Sequence, residues 1–222
     1  MNITPDQVFG DFRLLDDTIY VVVLAQAVRL APWRRLLHSE QLNMYLISIG
    51  ALVALWSLRA GVEPGLDLHY LGLTALTLVF GWQLAVIAGT AALLVQGWLF
   101  SDLHWSVFSV NALITMVVPV AVTYALYRLA DRKLPNHFAV YIFFTVFFNA
   151  IIAILLSTLL FTGLLLINNA YPLHTLVRDY LAYLPLVLLP EALLNGMIMT
   201  VVVVLKPQWV ACFDRERYLD AN

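Results

Sequence analysis

Residues 137–168 read HFAVYIFFTVFFNAIIAILLSTLLFTGLLLIN, and no aspartate, glutamate, lysine or arginine interrupts the chain from 134 to 177. A bilayer core needs about 20 apolar residues per helix, so this stretch is a membrane span with residues to spare. The alternation of a barrel strand is missing, which leaves a helix as the way to pair its backbone in lipid. The same reading extends outward. Charges are also absent from 18–28, 41–58, 68–101 and 103–127, and Glu191 stands alone between 180 and 205. Helices are therefore predicted near 15–31, 41–58, 68–80, 82–100, 106–129, 137–168 and 180–205. The third is short, and Gly81 alone parts it from the fourth. The two are expected to form a tight hairpin, or else one bent, re-entrant element.

Composition agrees. Of 222 residues 62% are apolar and 12% charged, with a mean hydropathy of +0.87; a soluble domain is about a quarter charged. A soluble enzyme, a disordered chain and a nucleic-acid binder are excluded, since a net charge of −2 offers no basic surface. The single cysteine, Cys212, excludes an internal disulfide framework. The fold class is all-α, a polytopic integral membrane protein of about seven transmembrane helices. Residues 1–222 are read as one transmembrane domain: an external N-terminal segment 1–14, a bundle 15–205 and a short cytoplasmic tail 206–222.

Orientation follows from basic residues. Arg29, Arg34 and Arg35 follow the first helix, Arg128, Arg132 and Lys133 the fifth, and Lys206, Arg215 and Arg217 the last. With seven spans these nine share one side, which the positive-inside rule makes cytoplasmic. The N-terminus is then outside and the C-terminus inside. No cleavable signal peptide is visible in Met1–Asp17.

Polar residues at membrane depth are costly. Gln26, Gln83 and Asn149 read as interhelical hydrogen-bonding groups. Glu191 differs: it follows Pro190, and Asn195 lies four residues on, on the same helix face. The pair suits a cation path or a buried structural network. His69 and His104 sit at the outer side, each two residues after an aspartate, Asp67 and Asp102. Imidazole is a ligand for nickel, cobalt, copper and zinc, but spacing alone does not separate a ligand from a solvated histidine. Neither an HExxH helix nor a membrane-depth serine with a partnered histidine occurs, so an intramembrane enzyme is not expected.

The run His69-Tyr70-Leu71-Gly72, Phe80-Gly81, Leu94-Val95-Gln96, Leu99-Phe100-Ser101-Asp102 and Asn111, and later Leu189-Pro190-Glu191-Ala192-Leu193-Leu194-Asn195-Gly196 and Lys206-Pro207-Gln208-Trp209-Val210, resembles the CbiM/NikM family. The resemblance covers about 60–222. It implies the substrate-binding membrane component of an energy-coupling-factor (ECF) ABC transporter in the bacterial inner membrane, taking up cobalt or nickel. Implied partners are a transmembrane coupling subunit, cytoplasmic ATPases and a small membrane accessory subunit. No permanently bound cofactor is implied; the metal ion is cargo. In the family, nitrogens of the extreme N-terminus, including a histidine at residue 2, and a histidine opening a later helix hold the ion. Here those positions are Met1, Asn2 and His69, so the imidazole of residue 2 is missing. Asp67, His104 and Asn111 are candidates for the site or its surroundings. Rival readings are an importer of another small solute and a non-transporting membrane sensor or scaffold.

Overall fold

The computed structural model describes residues 3–5, 7, 13–61, 65–100, 104–135, 137–214 and 218. Met1, Asn2, Asp102, Arg215 and Arg217 lie outside them. The described chain is helical: α1 (Arg13–Leu30), a 3-10 turn (Trp33–Leu37), α2 (Ser39–Ser57), α3 (Leu73–Phe80), α4 (Trp82–Leu99), α5 (Phe108–Lys133), α6 (Phe138–Ile167), α7 (Leu173–Asp179) and α8 (Leu184–Leu205). Two stretches widen to π-helical turns, Leu113–Val117 in α5 and Tyr141–Phe148 in α6.

α4, α5, α6 and the α7–α8 segment are long and apolar enough to cross a membrane. α1 and α2 have 18 and 19 residues, about 27 Å at 1.5 Å per residue. α1 carries Asp16 in its first turn and Arg29 in its last. These signs complement the helix dipole. α4 packs against α1, α2 and α3, while α5 pairs with α6, and α8 lies against α6 and α3.

α3 departs from the expected 68–80. It is eight residues long, about 12 Å, too short to cross roughly 30 Å of hydrocarbon. Residues before it are extended. Ala60 and Leu68 exchange backbone hydrogen bonds at 3.0 and 2.8 Å in an isolated antiparallel bridge. Gly72, at φ +65°, then turns the chain into the helix; a side chain there would be strained and would press on Leu55. All eight residues of α3 are buried, so it sits inside the bundle rather than on its wall. Gly81 at φ +87° joins it directly to α4, against which it packs.

A helix buried at both ends has orphan donors and acceptors that must find partners. At the N-terminal end they come from α8. The Leu71 N–H donates to Glu191 Oε2 and the Gly72 N–H to Glu191 Oε1, each at 2.8 Å. The Ala75 N–H donates to Asn195 Oδ1 at 2.8 Å. Asn195 Nδ2 donates to Glu191 Oε1 at 2.8 Å and to the Glu191 carbonyl at 2.7 Å. At the C-terminal end, the N–H groups of Cys212 and Ala211 donate to the Leu78 and Val79 carbonyls at 3.0 and 2.8 Å. The segment after α8 is thus part of the fold. It is fastened further by Tyr141, whose ring meets Phe213 and Tyr218 edge-on or tilted at 4.9 and 5.2 Å.

The same contacts gather the basic clusters at one end of the bundle. Lys206 lies 3.6 Å from Glu40 at the start of α2, and Tyr218 donates to Asp131 near the end of α5. Cys212 feels the charges of Arg35, Arg128 and Asp131 there. Burial is the larger influence and pushes its thiol up from about 9 to about 12. The thiol of Cys212, 4% exposed, is therefore expected to react with a maleimide far more slowly than a surface cysteine, from either side of the membrane. The sign for stability is fixed too. Folding holds the proton more tightly, so this contribution is complete below about pH 9 and is lost as pH rises toward 12. Thermal unfolding of native protein and Cys212→Ala between pH 8 and 11 checks it: the native protein should lose stability faster.

The last helix also differs at its start. It begins at Leu184 rather than 180, because Tyr180 (φ −132°, ψ −63°) breaks the helical path after α7.

Candidate functional site

His69 lies on the extended segment that leads into α3, two residues before the pair of N–H groups held by Glu191. It is 7% exposed. Its Nδ1 is 3.1 Å from the Tyr70 carbonyl. A carbonyl only accepts, so Nδ1 carries the proton in this contact; in the neutral ring the lone pair is then on Nε2, the form in which imidazole binds a metal. The ring lies against Trp56, centroids 6.2 Å apart. Trp56 is tied in turn: its Nε1–H donates to the Leu71 carbonyl at 3.0 Å, and Gln96 Nε2 donates to its carbonyl at 2.6 Å. α2, α4 and α8 thus all hold the short segment 69–72.

His69 lines a cleft of about 410 Å³ with Leu68, Tyr70, Asp179, Tyr183 and Val187 among its walls. Asp67 is half-buried near it, its carboxylate packed against Gly61. His104 is exposed in the turn before α5. Among the described residues no group of three or more His, Cys, Asp or Glu side chains stands ready to hold a metal ion. A site made of side chains of these types alone is not formed there.

The N-terminal segment enters the bundle. Ile3 is 1% exposed. Asn111 grips its backbone twice: Ile3 N–H donates to Asn111 Oδ1 at 2.8 Å, and Asn111 Nδ2 donates to the Ile3 carbonyl at 2.9 Å. Gln7, 4% exposed, takes the Thr4 N–H at 3.1 Å on its Oε1. Its amide lies against Gly65, so closely that a β-carbon at 65 would collide with it. Gly65 is four residues before His69 and has φ +77°. The start of the chain is therefore pinned between α5 and the loop that carries His69.

Of the residues singled out in the sequence, Asn111 contacts the N-terminal segment, while Glu191 and Asn195 act on the backbone beside His69. His104 joins neither group. Met1 and Asn2 are beyond the described residues, immediately before the Ile3 clamp. Trp56, Gln7 and Gly65 were not singled out. Trp56 reads in sequence as an ordinary apolar helix residue, and Gln7 and Gly65 are polar loop residues whose meeting no local pattern announces.

Such a bundle, with a largely apolar exterior, a buried half-length helix and a histidine-bearing cleft, is that of a multi-pass membrane protein. The chain belongs to the CbiM family, described as the cobalt uptake substrate-specific transmembrane region, which matches residues 16–209. Family membership places it in membrane metal uptake and among transporter components rather than enzymes. Two crystal structures share its fold at 18% identity. One, of a truncated transition metal transporter, superposes with a TM-score of 0.73 over 92% of this chain and 99% of its own. The other, of a transition metal transporter, gives 0.72 over 91% and 92%. No curated protein sequence matches the chain.

Proposed function

We propose that the chain is the substrate-binding membrane component of an ECF-type ABC transporter of the bacterial inner membrane, and that its cargo is cobalt or nickel. The observation that carries this reading is the meeting of the N-terminal segment with the His69 loop, through Gln7 on Gly65, with Ile3 clamped by Asn111. Two residues before Ile3 are the Met1 amine and the Asn2 amide, nitrogen donors of the kind nickel and cobalt accept. His69 Nε2 supplies a third. Asp67, beside the His69 cleft, is the candidate for a fourth. The N-terminus faces outward and the tail inward, the orientation that the positive-inside rule assigns from the nine-to-three split of basic residues in the sequence. Coupling subunit, ATPases and accessory subunit are the partners that supply energy, since the chain has no nucleotide-binding loop.

Calorimetry with nickel and cobalt on native protein, Asn2→His and an N-terminally extended form tests the cargo. Asn2→His adds the imidazole and should tighten binding, while extension blocks the amine and should abolish it. If neither native protein nor Asn2→His takes up either metal, the cargo is another small solute.

Gly65→Ala tests the route by which the N-terminus reaches the site. A non-glycine residue at φ +77° costs on the order of 1 kcal/mol, and its β-carbon meets Gln7. The expected result is about tenfold weaker metal binding, equivalent to ~1.4 kcal/mol, with His69 intact. Combining it with Gln7→Ala should recover the steric part. Native-like affinity in Gly65→Ala would separate the N-terminal clamp from binding.

A further inference from the structure

We propose that a groove between α5 and α6, at the end of the bundle that carries the C-terminal tail, is a binding site for one anionic phospholipid. The groove encloses about 260 Å³. α5 contributes Leu126, Leu129, Ala130 and Lys133, spaced along one helix face, and α6 contributes Phe144 and Phe148. Ala130 is the smallest side chain of the lining and leaves room for a chain between its larger neighbours. Phe144 and Phe148, 52% and 45% exposed with centroids 5.4 Å apart, form one wall.

Any apolar face of a membrane bundle meets lipid, so apolarity alone selects nothing. Two features select an occupant here. First, the lining runs from Leu126 to Leu134, about 12 Å of helix, close to the depth of one leaflet. Second, its polar end carries a cation. Lys133, the last residue of α5, is exposed and makes no ion pair among the described residues. Asp131, the nearest acid in sequence, is turned away and accepts from Tyr218. An acyl chain along the phenylalanine wall places its headgroup phosphate at Lys133, with Arg132 on the same turn. A zwitterionic lipid gains the apolar contact but less from the charge, so the groove favours a net-negative headgroup. A partner helix with no acidic residue at that level would leave the Lys133 ammonium without a counter-charge.

The test is lipid-dependent thermal stability of the full chain in detergent, titrated with phosphatidylglycerol or phosphatidylcholine of matched chains. Native protein should gain roughly 4 °C more from phosphatidylglycerol. Lys133→Glu should lose that extra gain and keep the phosphatidylcholine response. Ala130→Trp should fill the groove and lose the selective gain while leaving Lys133 in place. Arg34→Glu, an equal charge change in the turn after α1, should keep the gain. Equal stabilisation of native protein by the two lipids overturns the proposal, as does the same loss in Arg34→Glu as in Lys133→Glu. If Ala130→Trp does not fold, native mass spectrometry of native protein and Lys133→Glu decides. One retained phosphatidylglycerol should be seen on the first and none on the second, and equal retention overturns the site.

Discussion

His69→Ala should abolish transition-metal binding while leaving the protein folded. Removal of one imidazole from a site built from few nitrogens is expected to weaken binding by about 100-fold or more, since even residues that only orient a metal ligand typically contribute 10–100-fold. The side chain is 7% exposed but borders a cleft of about 410 Å³, so the truncation opens onto existing space rather than sealing a new cavity. The segment's main fastenings are backbone groups and survive: Leu71 and Gly72 on Glu191, and the Leu71 carbonyl on Trp56. Thermal stability should therefore shift little. Trp56→Phe is the informative companion. It keeps the aromatic surface near the histidine and removes the indole donor to Leu71. Affinity should fall less than with His69→Ala, because the ligand remains but its segment is looser. Calorimetry on the three proteins, with unfolding temperatures measured alongside, gives the comparison. Native affinity in His69→Ala with nickel and cobalt would remove this residue from the site.

The helices were legible because charge is expensive in hydrocarbon. Each uninterrupted apolar run between charged residues had to be a span or the interior of one, and α1, α2, α4, α5 and α6 lie close to the runs that predict them. The short element was not legible in the same way. Leu68, Tyr70 and Leu71 are as apolar as the helix they precede, and hydropathy does not distinguish extended from helical backbone. What stops the helix at Leu73 is the positive φ of Gly72 and a carboxylate 119 residues further along the chain. The break at Tyr180 is hidden for a similar reason, since no glycine or proline marks that position. In the candidate site, His69, Asn111, Glu191 and Asn195 stood out as polar groups in apolar surroundings. Gln7 and Gly65 did not, because loop residues of these types are common and their contact spans 58 positions.

Glu191 is the residue whose replacement should have the largest structural effect. Both possibilities raised by its sequence position, a cation path and a buried network, place a carboxylate at membrane depth. Its observed partners are all hydrogen-bond donors: the N–H groups of Leu71 and Gly72 and the Asn195 amide. It is 1% exposed. Three donors converging on two oxygens match a carboxyl group and do not match an amide. In Glu191→Gln one terminal atom becomes an NH2 group that faces an N–H or the Asn195 amide, and a buried donor loses its acceptor. That is expected to cost about 1–3 kcal/mol. Glu191→Ala orphans both backbone donors and leaves the start of α3 uncapped, so its loss should be larger and should appear as poor membrane accumulation. Glu191→Asp keeps the carboxyl group but is one methylene shorter, and should fall between native and Gln. The effect must reach the cleft, because His69 is two residues from Leu71. Metal affinity should therefore fall with stability across the Asp, Gln and Ala series, in that order. Unfolding temperature and nickel or cobalt affinity measured on the same preparations test this. A Glu191→Gln protein as stable as native, yet unable to transport, would show that the carboxylate serves ion passage instead of holding α3 and the His69 segment in place.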